Sequence, residues 1–349
     1  MCPRLYEEVA KRTWKLALIG ATVVALTGIT SDGAINGARL KNDAAYTIDN
    51  EIEEKKEELG NFSFMRSYRE TIPEVLPYVG ARAFADLRGE NVSSKPPNWF
   101  LRPDEELTRI VQRVHLKGAD LRFAAASSAF LVNADLTFAL LQKADLSMAD
   151  LQGTLLGSAQ LQGANLFRAK LQGAYLAGAE LQKADLHEAE LQGAILAAAQ
   201  LQKANLEMAQ LQGAMLIVAQ LEGANLNSAQ LQEAALDQAE LEGATMVNAQ
   251  LQGASLLRAK LQKAFLPGAQ LQKADLREAE LEGANLFSAQ LQGADLTNAR
   301  LQEADLRKAE MESVKGLTQT QINQACVDSS TKLPLELSRP KPCKTARSQ

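Results

Sequence analysis

The best candidate for acid–base chemistry is the group formed by His187, Glu188 and Glu190. A histidine beside carboxylates can relay protons when a pocket holds them against a substrate. These three residues belong to a repetitive segment whose side chains here face outward, and a convex wall encloses no substrate. The sequence also lacks a phosphate-binding glycine loop, a dinucleotide-binding glycine pattern and a nucleophile elbow. We therefore predict no enzyme, no catalytic residue, no cofactor and no small-molecule substrate.

Metal and thiol chemistry is limited by the numbers of histidine and cysteine. His115 and His187 are the only histidines, and no cysteine pair has the spacing of zinc ligands, so we predict no metal site. Cys2 follows the first methionine without a lipidation motif. Cys326 and Cys343 lie 17 residues apart in the C-terminal tail. In an oxidising compartment they would pair, and otherwise they would be two free thiols.

The composition is that of a folded chain with an unusual core. Of the 349 residues, 46% are hydrophobic but only 5% are aromatic, so something other than large rings must fill the interior. The formal net charge is -5. A general nucleic-acid binder would need a basic surface, so we predict no nucleic-acid partner.

A five-residue period runs through residues 114–313, which make 40 units of the form Ala-(Asp/Asn/Gln/Glu)-Leu-x-x. Such spacing would distribute apolar residues around the whole circumference of a helix, and it breaks the period of two that a flat strand requires. A short extended stretch followed by a corner fits, because Ala and Leu, two apart, then point the same way. Corners of about 90° close a square after four units, so stacked coils would bury Leu and Ala inside.

These units resemble the pentapeptide-repeat family, whose fold is a right-handed quadrilateral β-helix. The resemblance implies an all-β solenoid of about ten coils. Gly33–Gly37, Phe84–Leu87 and Lys95–Trp99 also look like a bacterial subgroup of membrane-anchored pentapeptide proteins. The stretch from Gly316 to Cys326 looks like the family's C-terminal tail, in which we predict a short helix capped by Thr318 that closes the last coil.

The N-terminal 38 residues contain an uncharged run, Leu16–Ser31, preceded by four basic residues. We interpret residues 1–38 as a signal-anchor transmembrane segment, with the N-terminus cytoplasmic and the repeats on the periplasmic or lumenal side. A cleaved signal peptide, cut near Ala25 to Gly28, would instead export a soluble protein. A buried or docked soluble helix is the third alternative. Residues 39–113 read as a charged helical and loop spacer ending in a short helix over the first coil, and residues 314–349 as a cap helix and tail.

The outward positions can be assigned to faces because residues 20 apart would stack. Glutamine recurs in two columns, near 142–302 and 152–292, where stacked amides could bond along the column. Small Asp and Asn side chains recur from Asp145 to Asp305, where they could bond backbone near the bends. One face instead exposes what we name the apolar strip, which consists of Leu155, Tyr175, Ile195, Met215, Ile217 and Val218. This strip is the candidate surface for a protein partner or for self-association, or else a set of scattered apolar residues.

The sequence therefore favours a non-enzymatic, membrane-tethered scaffold that presents a rod-like surface for protein–protein interaction. The alternative is a DNA-mimicking inhibitor or protector of a topoisomerase such as gyrase, as some pentapeptide proteins are. DNA mimicry needs a strongly acidic rod, whereas residues 114–313 carry a net charge of only -8 with basic residues interspersed.

Overall fold

The computed structural model describes residues 114–340, and in this range the chain winds into a stack of four-sided coils. Each five-residue unit contributes one bridged residue, which pairs in parallel with the residue 20 positions later, from His115 with Asp135 to Asp295 with Lys315. Between residues 114 and 340 the pairing consists of these single-residue bridges rather than longer strands. The one α-helix in that range, α1, spans Gln319–Gln324.

A tight turn forms each corner of the coil. The N–H of each unit's Ala donates to the carbonyl of the preceding Leu, as from Ala144 to Leu141 at 3.0 Å. The third residue of the turn has positive φ, for example 56° at Lys143 and 62° at Gly173. A type II turn requires this conformation, which glycine adopts freely and other residues adopt at some cost. The corner therefore explains where glycine recurs in the repeat.

The core is built almost entirely from the repeated Ala and Leu, which are buried from Ala124 to Met311. Burying one Leu side chain contributes roughly 1.5–3 kcal/mol, and every coil adds four such positions. The departures from the pattern are accommodated: Met246 takes a Leu position and stays buried. Thr154 takes an Ala position, and its hydroxyl donates to the carbonyl of Leu131 at 3.0 Å.

Small polar residues at the bridged position bond the backbone two residues later. Asp145 accepts from the N–H of Ser147 at 3.1 Å, and Asn285 accepts from that of Phe287 at 3.0 Å. Asn165 in turn donates to Asp145 in the coil below at 3.1 Å. A longer side chain would carry its oxygen past this N–H, which explains the preference for Asp and Asn in this column.

The C-terminal cap replaces one side of the last coil with helix α1. Thr318 caps the helix and forms a capping box with Gln321. The amide of Gln321 also donates to the carbonyls of Leu296 and Ala299, at 3.0 and 2.9 Å. Ile322 is fully buried against the coil. The predicted cap helix is thus present, and it bonds carbonyls that a further coil would otherwise have bonded.

Beyond α1 the chain continues the coil in a shifted register. Asp305 pairs with Cys326, 21 residues later, and Glu310 pairs with Lys332, 22 residues later. Cys326 is disulfide-bonded. The sequence left open whether Cys326 pairs with Cys343, and the other cysteines, Cys2 and Cys343, lie outside the described residues.

Acid should weaken the coils, because several carboxylates are more acidic in the folded state. The hydroxyl and N–H of Thr297 lower the pKa of Asp295, and those of Thr137 do the same for Asp135. A lowered folded-state pKa adds stability that is complete above the unfolded value of about 3.9 and is lost as pH falls through the folded value. We expect the free energy of unfolding to be level from pH 7 to 5 and to drop below about 4. Thermal melts across this range test it, and the Asp135→Asn, Asp295→Asn double variant should show a shallower drop.

The membrane predictions fall outside the described residues. Segment 1–38, with its proposed anchor, and spacer 39–113, with its proposed helix over the first coil, both precede residue 114. Among residues 114–340, no helix has the length and apolar character needed to cross a membrane.

Candidate functional site

The coil register aligns the apolar strip along one face. Leu155, Tyr175, Ile195 and Met215 are consecutive partners in the bridge ladder. Tyr175 is 43% exposed and Met215 is 41% exposed, while Leu155 and Ile195 are half-buried. Ile217 and Val218 form the corner that follows Met215. The six residues therefore form one surface over four successive coils.

The strip lies within a larger uncharged surface. The segments that cross this face in the four coils are 152–158, 172–178, 192–198 and 212–218, and none contains a charged residue. Charges return on both sides, at Asp135 in the coil before and at Glu233 and Asp237 in the coil after. A continuous uncharged surface is unusual on a chain with 23% charged residues, which makes this face the candidate contact surface.

Gly157 shapes the strip, and sequence reasoning missed it. A Cβ at Gly157 would lie 3.0 Å from Cε1 of Tyr175, closer than ordinary van der Waals contact. The ring of Tyr175 therefore lies over the glycine of the coil below instead of projecting from the face. The sequence did contain a signal. Gly157 is the second residue after a bridged residue, and the turn requires no glycine at that position. Gly157 keeps the strip flat.

Val218 holds a strained backbone at the edge of the strip. Its φ is 52°, and it is the only β-branched residue among the 39 turn positions of residues 118–308 that have positive φ. Branching at Cβ makes this conformation especially unfavourable. The side chain is 42% exposed, so burial in the core does not compensate. Strain kept at an exposed position is typical of surfaces that bind something.

The two glutamine columns bond differently from the prediction. We expected amides to bond along one column, but most of the glutamines donate to the bridged residue 18 positions later, in the next coil. Gln182 donates to Gln200, and Gln192 donates to Gln210, both at 2.6 Å. Gln162 donates in the same way to a carboxylate oxygen of Glu180. The pattern requires an acceptor 18 residues after each glutamine.

Gln152 breaks this rule, because the residue 18 positions later is Lys170, which has no acceptor. Gln152 is 1% exposed, and in the described structure neither of its amide atoms is hydrogen-bonded. Lys170→Gln should supply the acceptor and raise the free energy of unfolding by about 1–2 kcal/mol, since a buried unsatisfied amide costs that much. Guanidinium denaturation of the full chain measures the change. Lys170→Met, which removes the charge without adding an acceptor, is the matched control. An equal gain in both variants would contradict the rule.

The residues considered for acid–base chemistry are held by their neighbours instead. His187 stacks on Phe167 with ring centroids 5.6 Å apart, and its Nε2 lies 3.2 Å from Glu188. Arg168 donates to Glu188 at 2.7 Å, and this bond lowers the pKa of that carboxyl. Glu190 accepts from the amide of Gln172. Within residues 114–340, no group of three or more His, Cys, Asp or Glu side chains could hold a metal ion.

A stack of four-sided coils, with one five-residue unit on each side and an interior of Ala and Leu, defines a β-helix. The family model for pentapeptide repeats matches eight copies within residues 113–315. The matched segments cover more than half of the sequence, so the chain belongs to the pentapeptide-repeat family, and its coils form a right-handed β-helix. Proteins of this family generally serve structural or interaction roles.

One solved structure is similar in both sequence and shape. It is that of HetL, a pentapeptide repeat protein involved in heterocyst differentiation regulation from the cyanobacterium Nostoc sp. strain PCC 7120. The identity is 37%, over 57% of this chain and 90% of HetL, with a TM-score of 0.56. No curated protein matches the sequence.

Two other solved structures are less similar. Rfr23 from the cyanobacterium Cyanothece 51142 is 32% identical over 33% of this chain and 63% of its own, with a TM-score of 0.25. Trypsin-treated QnrB1, a plasmid-mediated fluoroquinolone resistance protein, is 16% identical over 47% of this chain and 87% of its own, with a TM-score of 0.37. At these TM-scores neither supports an argument about this chain.

Proposed function

We propose that this protein is a non-enzymatic scaffold that acts through protein contact, with the apolar strip as its contact surface. The observation that carries the proposal is the uncharged face over four coils, with Tyr175 laid over Gly157 and a strained Val218 at its edge. Tyrosine and methionine are enriched where interfaces concentrate their binding energy. The membership in a family of interaction proteins supports the same role.

The distribution of charge argues against the DNA-mimicking alternative. Several acidic residues in the C-terminal half are paired with basic ones, as in Arg258 with Glu278 at 2.7 Å and Lys260 with Glu240 at 2.6 Å. Arg277 likewise pairs with Asp275 at 2.6 Å. A rod imitating the DNA backbone would present uncompensated negative charge along its length. We therefore favour the protein-contact role over topoisomerase inhibition.

Membrane tethering is a further part of the proposal, and it rests on the uncharged run Leu16–Ser31 with basic residues before it. It would place the repeats beyond the membrane, on the periplasmic or lumenal side. Protease access to the repeats in intact spheroplasts tests this part separately. Cleavage only after lysis would contradict it, and recovery of a shortened soluble chain would instead indicate a cleaved signal peptide.

A photo-crosslinking amino acid at position 175 tests whether the strip contacts protein. The full chain carrying it would be expressed in cells and irradiated. We expect an adduct of higher mass than the 37.7 kDa chain. Position 265 is the matched control, because Phe265 is also aromatic, is 44% exposed and lies on a different face. No adduct at 175, or equal adducts at both positions, would sink the proposal.

A further inference from the structure

We infer that the apolar strip binds the same strip of a second copy of this chain, with the two rods antiparallel. The inference rests on the proposed function, since it names the partner of that surface. A two-fold dimer brings one patch against itself, so the patch must complement its own shape and charge. The strip can do so because it is flat and carries no charge.

The flatness comes from glycine as well as from Tyr175. Gly153, Gly173, Gly193 and Gly213 occupy one corner of the four coils, and nothing lies within 4 Å of a Cβ placed at Gly173, Gly193 or Gly213. A helix would leave much of such a surface uncovered, whereas a second flat sheet face packs against it in the manner of a β-sandwich, about 10 Å away.

The charges that border the strip select the antiparallel arrangement. With the rods parallel, a two-fold axis would bring Asp135 against Asp135, and Glu233 against Asp237, of the other copy. With the rods antiparallel and centred between Tyr175 and Ile195, Asp135 instead meets Ala235, Glu233 meets Asn133 and Asp237 meets Thr137, so no two acidic residues directly face each other. The same arrangement sets Leu155 opposite Met215 and Tyr175 opposite Ile195, which keeps apolar residues together. Like charges facing each other cost binding energy, so the antiparallel pair is favoured.

The area sets the strength of the contact. Four coils at about 4.8 Å and a face about 16 Å wide give a flat area on the order of 300 Å² per copy. A standard stable interface buries about 800 Å² per partner. The dimer should therefore be weak in dilute solution and should form where the chain is concentrated.

Crosslinking of two differently tagged full-length copies, with a bismaleimide that spans about the 10 Å between two packed faces, tests the inference. We expect Leu155→Cys in one copy and Met215→Cys in the other to give at least fivefold more mixed dimer than Leu155→Cys in both. In the antiparallel pair, positions 155 and 215 face each other directly, whereas the two positions 155 are also three coils apart along the rods, about 14 Å, which is beyond the reach of this crosslinker. Mass spectrometry of the linked peptide separates this bond from any involving Cys2, Cys326 or Cys343. Phe265→Cys in both copies measures random encounter.

The outcomes separate this inference from the proposed function. Equal or greater linkage of 155 with 155 would overturn the antiparallel pair. No linkage above the Phe265→Cys level, together with a photo-adduct at position 175 that contains another protein, would overturn the second copy while leaving the proposed function intact. If neither the cysteine crosslink nor the photo-adduct forms, both the second-copy inference and the proposed protein-contact function are contradicted.

Discussion

Replacing Leu206 with Ala should lower the free energy of unfolding by about 2–5 kcal/mol, the largest effect we expect from any single truncation. Leu206 is fully buried in a central coil, where four Leu side chains meet and coils pack on both sides. Its loss would leave a cavity that the surrounding backbone ladder cannot easily close, because the bridges from Asn205 to Asp185 and Asn225 fix the spacing between successive coils. Guanidinium denaturation of the full chain followed by circular dichroism measures the change.

The matched control for this prediction is Met246→Leu. Met246 occupies the same place in its unit and is also buried, so the substitution restores the repeat while nearly conserving volume. Its effect should stay below about 1.5 kcal/mol in either direction. A Leu206→Ala variant as stable as the parent chain would mean that the coils collapse around a missing side chain. That result would contradict the expected cost of a cavity in the buried Ala and Leu core.

The second large effect concerns the C-terminal cap. Ile322→Ala should cost about 2–4 kcal/mol locally, because Ile322 is the fully buried residue of α1. Weakening α1 would also release the bonds from Gln321 to the carbonyls of Leu296 and Ala299. The last coil would then expose a row of unpaired backbone groups, which promotes edge-to-edge association. We expect faster hydrogen exchange over residues 296–332 and increased light scattering on standing.

Thr320→Ala serves as the control for the cap, since Thr320 lies in α1 but is exposed. It should leave hydrogen exchange in the last coil unchanged. If Ile322→Ala also left exchange at residues 296–332 unchanged, α1 would not be the element that closes the coil. Uniformly faster exchange through all coils would instead mean that the cap stabilises the whole array rather than its end.

The geometry of the candidate site could be predicted in part. The strip residues followed from the 20-residue spacing alone, because stacking places Leu155, Tyr175, Ile195 and Met215 in one column. The role of Gly157 could not be predicted, since it depends on the direction in which the Tyr175 ring leans. The strain at Val218 depends on the turn type, which the repeat pattern left undefined. That the strip binds protein remains a proposal.

The sequence by itself determined the coil, the core and the positions of the corners, but not the turn type. A five-residue period with Ala and Leu two apart has one efficient way to bury both, and every unit repeats the same local choice. Only the tertiary structure decided how the coils contact one another. The glutamine bonds run to the residue 18 positions later because a long side chain reaches diagonally to the next coil, and sequence spacing does not reveal this direction. The tertiary structure also decided the shifted pairing of Cys326 and Lys332. The segment that contains helix α1 adds one residue before Cys326, and the segment from Cys326 to Lys332 adds a second, because it spans six residues where a unit spans five.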